Sequence, residues 1–149
     1  MSETIEELLN SHEDFAKKCI KDKGDFLPQV IMCKDKKISV MVVATPREGI
    51  RAVLDLVQKS KPEWVVFISE GYMRVTKDKE ALKNYETGEL EKGFNSGDKT
   101  ISEVVIIHAY TKTQKMARII DKKTWKKVEK DTENFAGFLT INDVDRTFW

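Results

Sequence analysis

The chain has 149 residues, 40% of them hydrophobic and 34% charged, with 26 lysines and arginines against 25 aspartates and glutamates. That length suits one domain with a sizeable core, and a net charge of +1 creates no overall demand for nucleic acid or an anionic membrane. No apolar run approaches the roughly 18 residues of a bilayer-spanning helix, and the acidic start MSETIEELLNSHED lacks the basic-then-apolar order of a secretory signal. A cytoplasmic location is therefore expected, with Cys19 and Cys33 as reduced, packed thiols.

The first element is a helix from Ser2 to about Lys23. Ile5, Leu8, Leu9, Phe15, Ala16, Cys19 and Ile20 recur at helical spacing. Glutamates at 3, 6 and 7 and lysines at 17, 18, 21 and 23 oppose the two ends of the helix dipole, and Gly24 is a stop. Asn10-Ser11 offers a point of division, with Ser11 capping a second piece. Two short strands follow, 27–33 and 37–44, around the turn Lys34-Asp35-Lys36-Lys37. The row Ile38, Val40, Val42 and Ala44 reads as the core face of this hairpin. Pro28 suggests a sheet edge or a strand end.

The stretch TPREGIRAVLDLVQKSKP carries the clearest helix signal. Thr45 and Glu48 have capping-box spacing, Pro46 suits the first turn, and Ile50, Val53, Leu54 and Val57 form one stripe. A long strand is predicted over 63–75, EWVVFISEGYMRV. Residues 76–100 then form a charged connection with Gly88, Gly93 and Gly97, read as a mobile loop or a functional flap that includes a helical turn over Lys79–Tyr85. Strand signals resume in EVVIIHAY, KMARIID and TWKKV, with turns at 112–114 and Lys122-Lys123, and FAGFLTI (135–141) is a candidate closing strand. The predicted fold is one α+β domain over 1–149: a largely antiparallel sheet of five or six strands, in the order α-β-β-α-β-long loop-β-β-β, with two main helices packed on it.

Three groups of residues are candidates for function. The first is Ser69, Glu70 and His108. If 63–75 and 101–111 pair as antiparallel neighbours, closing the loop evenly gives paired residue numbers that sum to 177 or 176. The first sum sets His108 opposite Ser69; the second sets it opposite Ile68 and diagonal to Glu70. A Glu beside a His would favour the imidazolium and suit proton transfer, so a small acid–base enzyme under the 76–100 loop is one reading. No nucleophile elbow surrounds Ser69. Ser69 and Gly71 also read as small residues that make room in a packed strand.

The second group is basic. Eight basic residues and two acids lie between Tyr110 and Lys130, whereas residues 1–16 hold five acids and neither lysine nor arginine. Lys112, Lys115, Arg118, Lys122, Lys123, Lys126 and Lys127, with Trp125 to stack a base, make a β-ribbon suited to a nucleic-acid backbone. Lysines on outer strands also serve simply to discourage edge association. The third group is Trp64, Tyr72 and Tyr110, aromatic positions on a sheet whose centre is apolar on both faces. Either the N-terminal helix covers the second face, or a partner chain does. His12 reads as a rim residue of the first helix. With two distant histidines and no cysteine cluster, no metal or cofactor is expected. The leading expectation is a non-catalytic binding or regulatory module that self-associates, as a homodimer, through a sheet face or edge.

Overall fold

The first helix begins where the sequence supplies a cap. The computed structural model describes residues 4–24, 28–43, 48–74, 92–99 and 101–127, with 48, 50, 73 and 74 by backbone alone. In it the Thr4 hydroxyl accepts a hydrogen bond from the Glu7 amide at 3.2 Å, and α1 runs Ile5–Lys23. Gly24 ends the helix at φ +78°, its amide donating to the Ile20 carbonyl at 2.7 Å. The helix is not divided at Asn10-Ser11. The Ser11 hydroxyl donates to the Leu8 carbonyl within the same helix rather than capping a new one.

Strands β1 (Gln29–Lys34) and β2 (Lys37–Val42) form the expected hairpin. Lys34 opposes Lys37, leaving Asp35 and Lys36 as a two-residue turn with φ of +52° and +65°. Positive φ at both central residues is the type I′ requirement, whose twist matches that of the flanking strands. Pro28 stands at a strand end, where its carbonyl accepts from the Val43 amide at 2.8 Å. Helix α2 (Glu48–Ser60) buries Leu54 and Val57 and half-buries Val53, as the stripe predicts. Its expected cap at Thr45-Pro46 lies outside the described residues.

Strands β3 (Trp64–Arg74), β4 (Ile101–Thr111) and β5 (Lys115–Asp121) complete a five-stranded sheet in the order β2-β1-β3-β4-β5. Every neighbouring pair is antiparallel, which makes this an α+β fold. Beyond β5 the Asp121 carboxylate accepts from the Lys123 and Thr124 amides, forming the predicted turn. The predicted strand TWKKV is reduced to a single bridge, Ile120 to Lys127, among the described residues. Within the long connection, 92–95 form a helical turn, with the Ser96 amide donating to the Lys92 carbonyl. The helical turn expected at Lys79–Tyr85 and the strand expected at 135–141 lie outside the described residues.

The two faces of the sheet pack against different helices. Ile5, Leu8, Leu9 and Ala16 of α1 pack on Ile31, Val66, Ile68, Val105, Ile107 and Ile120. Leu54 and Val57 of α2 pack on Val30, Val65, Phe67 and Tyr110, which point the other way. Of the two expectations for the second face, the N-terminal helix supplies the answer. The hairpin reads differently from its pattern, however. Met41 and Val43 turn toward α2, while Ile38, Val40 and Val42 are exposed. The row expected to be core is the outer row. Opposed strand residues share a face, so these side chains lie on the face of Ile31 and Cys33, which α1 covers. The helix is seated over β3, β4 and β5 and leaves β2 bare.

Candidate functional site

The strand register decides the first candidate group. β3 and β4 pair with residue numbers summing to 175, one less than the smaller of the two expected sums: Phe67 opposes His108, Ser69 opposes Ile106 and Glu70 opposes Val105. Glu70 and His108 therefore project from opposite faces, and the expected Glu–His pair is not formed. Glu70 instead lies 3.3 Å from Lys122 Nζ, which is also 3.8 Å from Glu103. His108 is buried between Phe67 and Ala117 on the adjacent strands, with Phe67 and Tyr110 rings each 6.4 Å away. Burial lowers its pKa from 6.5 to about 4, so the imidazole is neutral at pH 7. Ser69 is fully buried one step diagonal to it, and its hydroxyl has no hydrogen-bond partner among the described residues. A neutral imidazole and an unoriented hydroxyl make a weak nucleophilic arrangement.

The basic ribbon is partly engaged within the chain. Arg118 Nη1 donates to Asn10 Oδ1 at 2.8 Å and to Glu13 Oε1 at 3.3 Å, and Nη2 lies 3.7 Å from Glu6. The acidic helix and the basic strand noted in the sequence thus meet each other. Lys122 bridges Glu70 and Glu103, and Trp125 is half-buried against the α1 core. Lys112, Lys115, Lys123, Lys126 and Lys127 are exposed.

The aromatic candidates lie mostly inside. Trp64 and Tyr110 are buried by α1 and α2 respectively, so neither forms an outer surface, a correction that follows from both faces having their own helix. Tyr72 is half-buried with its ring 5.4 Å from Phe94. His12 is a rim residue as read, its ring 5.5 Å from Trp64 and its Nδ1 2.8 Å from the Leu8 carbonyl. Neither cysteine is in a disulfide, Cys33 being buried and Cys19 partly so. Among the described residues no group of three or more His, Cys, Asp or Glu side chains is placed to hold a metal, and no helix is long and apolar enough to cross a membrane.

The outstanding surface is one that the sequence reading assigned to the core. Edge strand β2 exposes Ile38 to 64%, Val40 to 52% and Val42 to 56%. In a hairpin closed by a two-residue turn, the closing pair exchanges both hydrogen bonds and such pairs alternate. Lys37, Ser39 and Met41 therefore direct their amides and carbonyls to β1, and the Val43 bond to Pro28 continues that series. Ile38, Val40 and Val42 direct theirs outward. The same three residues thus present both apolar side chains and outward-facing backbone donors and acceptors that pair with no second strand among the described residues. Phe15, 40% exposed, stands one turn beyond His12 on the α1 flank that packs against Trp64. Trp64 adjoins Cys33, which opposes Ile38, so that flank borders the exposed row.

Comparison of the chain with protein-family models, with curated proteins and with solved structures returns no match.

Proposed function

We propose that this protein is a non-catalytic binding module that associates by strand addition at the β2 edge. One observation carries the reading: Ile38, Val40 and Val42 are more than half exposed on the edge strand, where their backbone groups also point outward. Main-chain hydrogen bonds would supply affinity and the apolar row would supply selectivity. Sheet edges that must stay single are usually blunted by proline, charge or a bulge. β2 has none of these between Ile38 and Val42, and its pairing with β1 is unbroken. The opposite edge carries Lys115 and Arg118 on β5 and the bridge to Lys127.

Sedimentation velocity across micromolar to millimolar concentrations tests the association. The mass of the wild type should rise with concentration, while Val40→Lys, with unchanged far-UV circular dichroism, should remain a monomer. A wild type that is monomeric throughout, or a Val40→Lys protein that associates as the wild type does, refutes edge association.

A further inference from the structure

The β2 strand is complementary to itself in one register, and we infer that its occupant is a second copy of this chain, paired antiparallel about a two-fold axis through Val40. The inference rests on the edge-association reading and adds the partner and the register. A two-fold axis perpendicular to the sheet keeps opposed side chains on one face, so only registers of even residue sum are compatible with it. Centring on Val40 opposes Val40 to its own copy and Ile38 to Val42 of the partner subunit. All three outward-pointing residues then find outward-pointing partners, and the three exposed apolar side chains of β2 meet one another across the seam. The product is a continuous ten-stranded sheet, two five-stranded sheets joined edge to edge.

Neighbouring registers do less. Centring on Ser39 opposes Ile38 to Val40 but sets Val42 against Lys36 in the turn. Centring on Met41 pairs Val40 with Val42 and carries Ile38 past the end of the strand.

Charge favours the antiparallel arrangement. The hairpin tip Lys34-Asp35-Lys36-Lys37 carries three lysines and one aspartate. In the Val40 register Lys37 opposes Val43, so the two Lys37 residues are offset by six positions, about 20 Å at strand rise. That exceeds the screening length of about 8 Å at physiological salt. A parallel pairing would instead set the two tips side by side at a strand spacing of about 5 Å, with like charges in contact. The separation leaves the apolar centre without electrostatic opposition.

Engineered cysteines read the register directly, in a Cys19→Ser background that retains the buried Cys33. In the Val40 register the two Val40 Cα atoms lie about 5.5 Å apart, within the range a disulfide bridges. The two Val42 Cα atoms are offset by four positions, about 14 Å, and the two Ser39 by two positions, about 7 Å before the strand spacing is added. In a glutathione redox buffer, Val40→Cys should form a disulfide-linked dimer, while Ser39→Cys and Val42→Cys should not. Spin labels at exposed Lys37 provide a second reading, expected at a backbone separation of about 20 Å rather than the roughly 14 Å of the Ser39 register.

Cross-linking at Ser39 with none at Val40 overturns the register. No cross-link at any site, while Val40→Lys still abolishes association, overturns the two-fold pairing and leaves edge association standing. A wild type that never associates removes both.

Discussion

Lowering the pH should destabilise this protein through the buried His108, beyond the common titration of its carboxylates. The imidazole is buried between Phe67 and Ala117, and burial lowers its pKa from 6.5 to about 4. Between those values the unfolded chain binds a proton that the native chain does not, so stability falls as pH drops. The loss begins near pH 6.5 and is complete below about pH 4. At pH 4.5 the unfolded histidine is almost fully protonated and the native one mostly neutral, a linkage of about 2–3 kcal/mol relative to pH 7.5. That is a large share of the 5–15 kcal/mol typical of a domain, with about 1.4 kcal/mol for each tenfold in the folding equilibrium.

The comparison is between wild type and His108→Leu, each unfolded in urea at pH 7.5 and 4.5 at one low concentration. Titration of the carboxylates is common to both proteins and any packing cost of leucine is common to both pH values, so each cancels in the difference of differences. The wild type should lose about 2–3 kcal/mol more than the variant over this interval. Equal losses in both proteins, to within about 0.5 kcal/mol, would show that the imidazole titrates freely in the native state and that its burial between the strands is wrong.

Other perturbations have definite signs. Arg118 is largely buried and ties α1 to β5 through Asn10 and Glu13, with Glu6 more exposed at its far side. Arg118→Gln should cost about 1–2 kcal/mol by thermal or urea unfolding, whereas Glu6→Gln should stay within about 0.5 kcal/mol. Gly24 has φ +78° with nothing within 4 Å of where a Cβ would sit. Gly24→Ala should therefore cost about 1 kcal/mol from backbone strain alone, and a neutral result would mean that the helix end relaxes. In the β1–β2 turn, Lys36 holds φ +65°. Lys36→Gly creates the Asp-Gly pair favoured in type I′ turns and should raise stability by roughly 0.5–1 kcal/mol, measured as a higher urea midpoint.

Elements were legible in the sequence wherever one signal had no competitor. The helical stripe of α1, the Gly24 stop, the Asp35-Lys36 turn and the long strands at 64–74 and 101–111 all follow from local spacing. Register was not legible, and the reason is physical. β3 and β4 are apolar on both faces over most of their paired length, so a one-residue slip exchanges one buried row for another at little cost. The long connection between them fixes no turn geometry that would select a sum. Polar residues carry the information instead. The observed register sets Glu70 and Glu103 on one face beside Lys122, and His108 on the other among Phe67 and Tyr110. Lys122 lies beyond the next strand, out of reach of a two-strand argument.

The hairpin misled for a related reason. Alternation tells which residues of a strand share a face, but not which face is covered. In β2 the more apolar row, Ile38, Val40 and Val42, faces the side where α1 is occupied over β3 to β5, while Met41 and Val43 of the mixed row reach α2. A surface strand normally turns its polar row outward. Here Lys37 and Ser39 are exposed as well, so β2 turns its apolar row outward without burying its polar one. An inverted row on an unblunted edge is what a second strand would need, with selectivity from the side chains and affinity from the outward amides and carbonyls. The apolar surplus that suggested an uncovered sheet face is thus helix-packed on both sides of the sheet's centre and left exposed at β2, and it is at that strand that substitution of Val40 should separate association from folding.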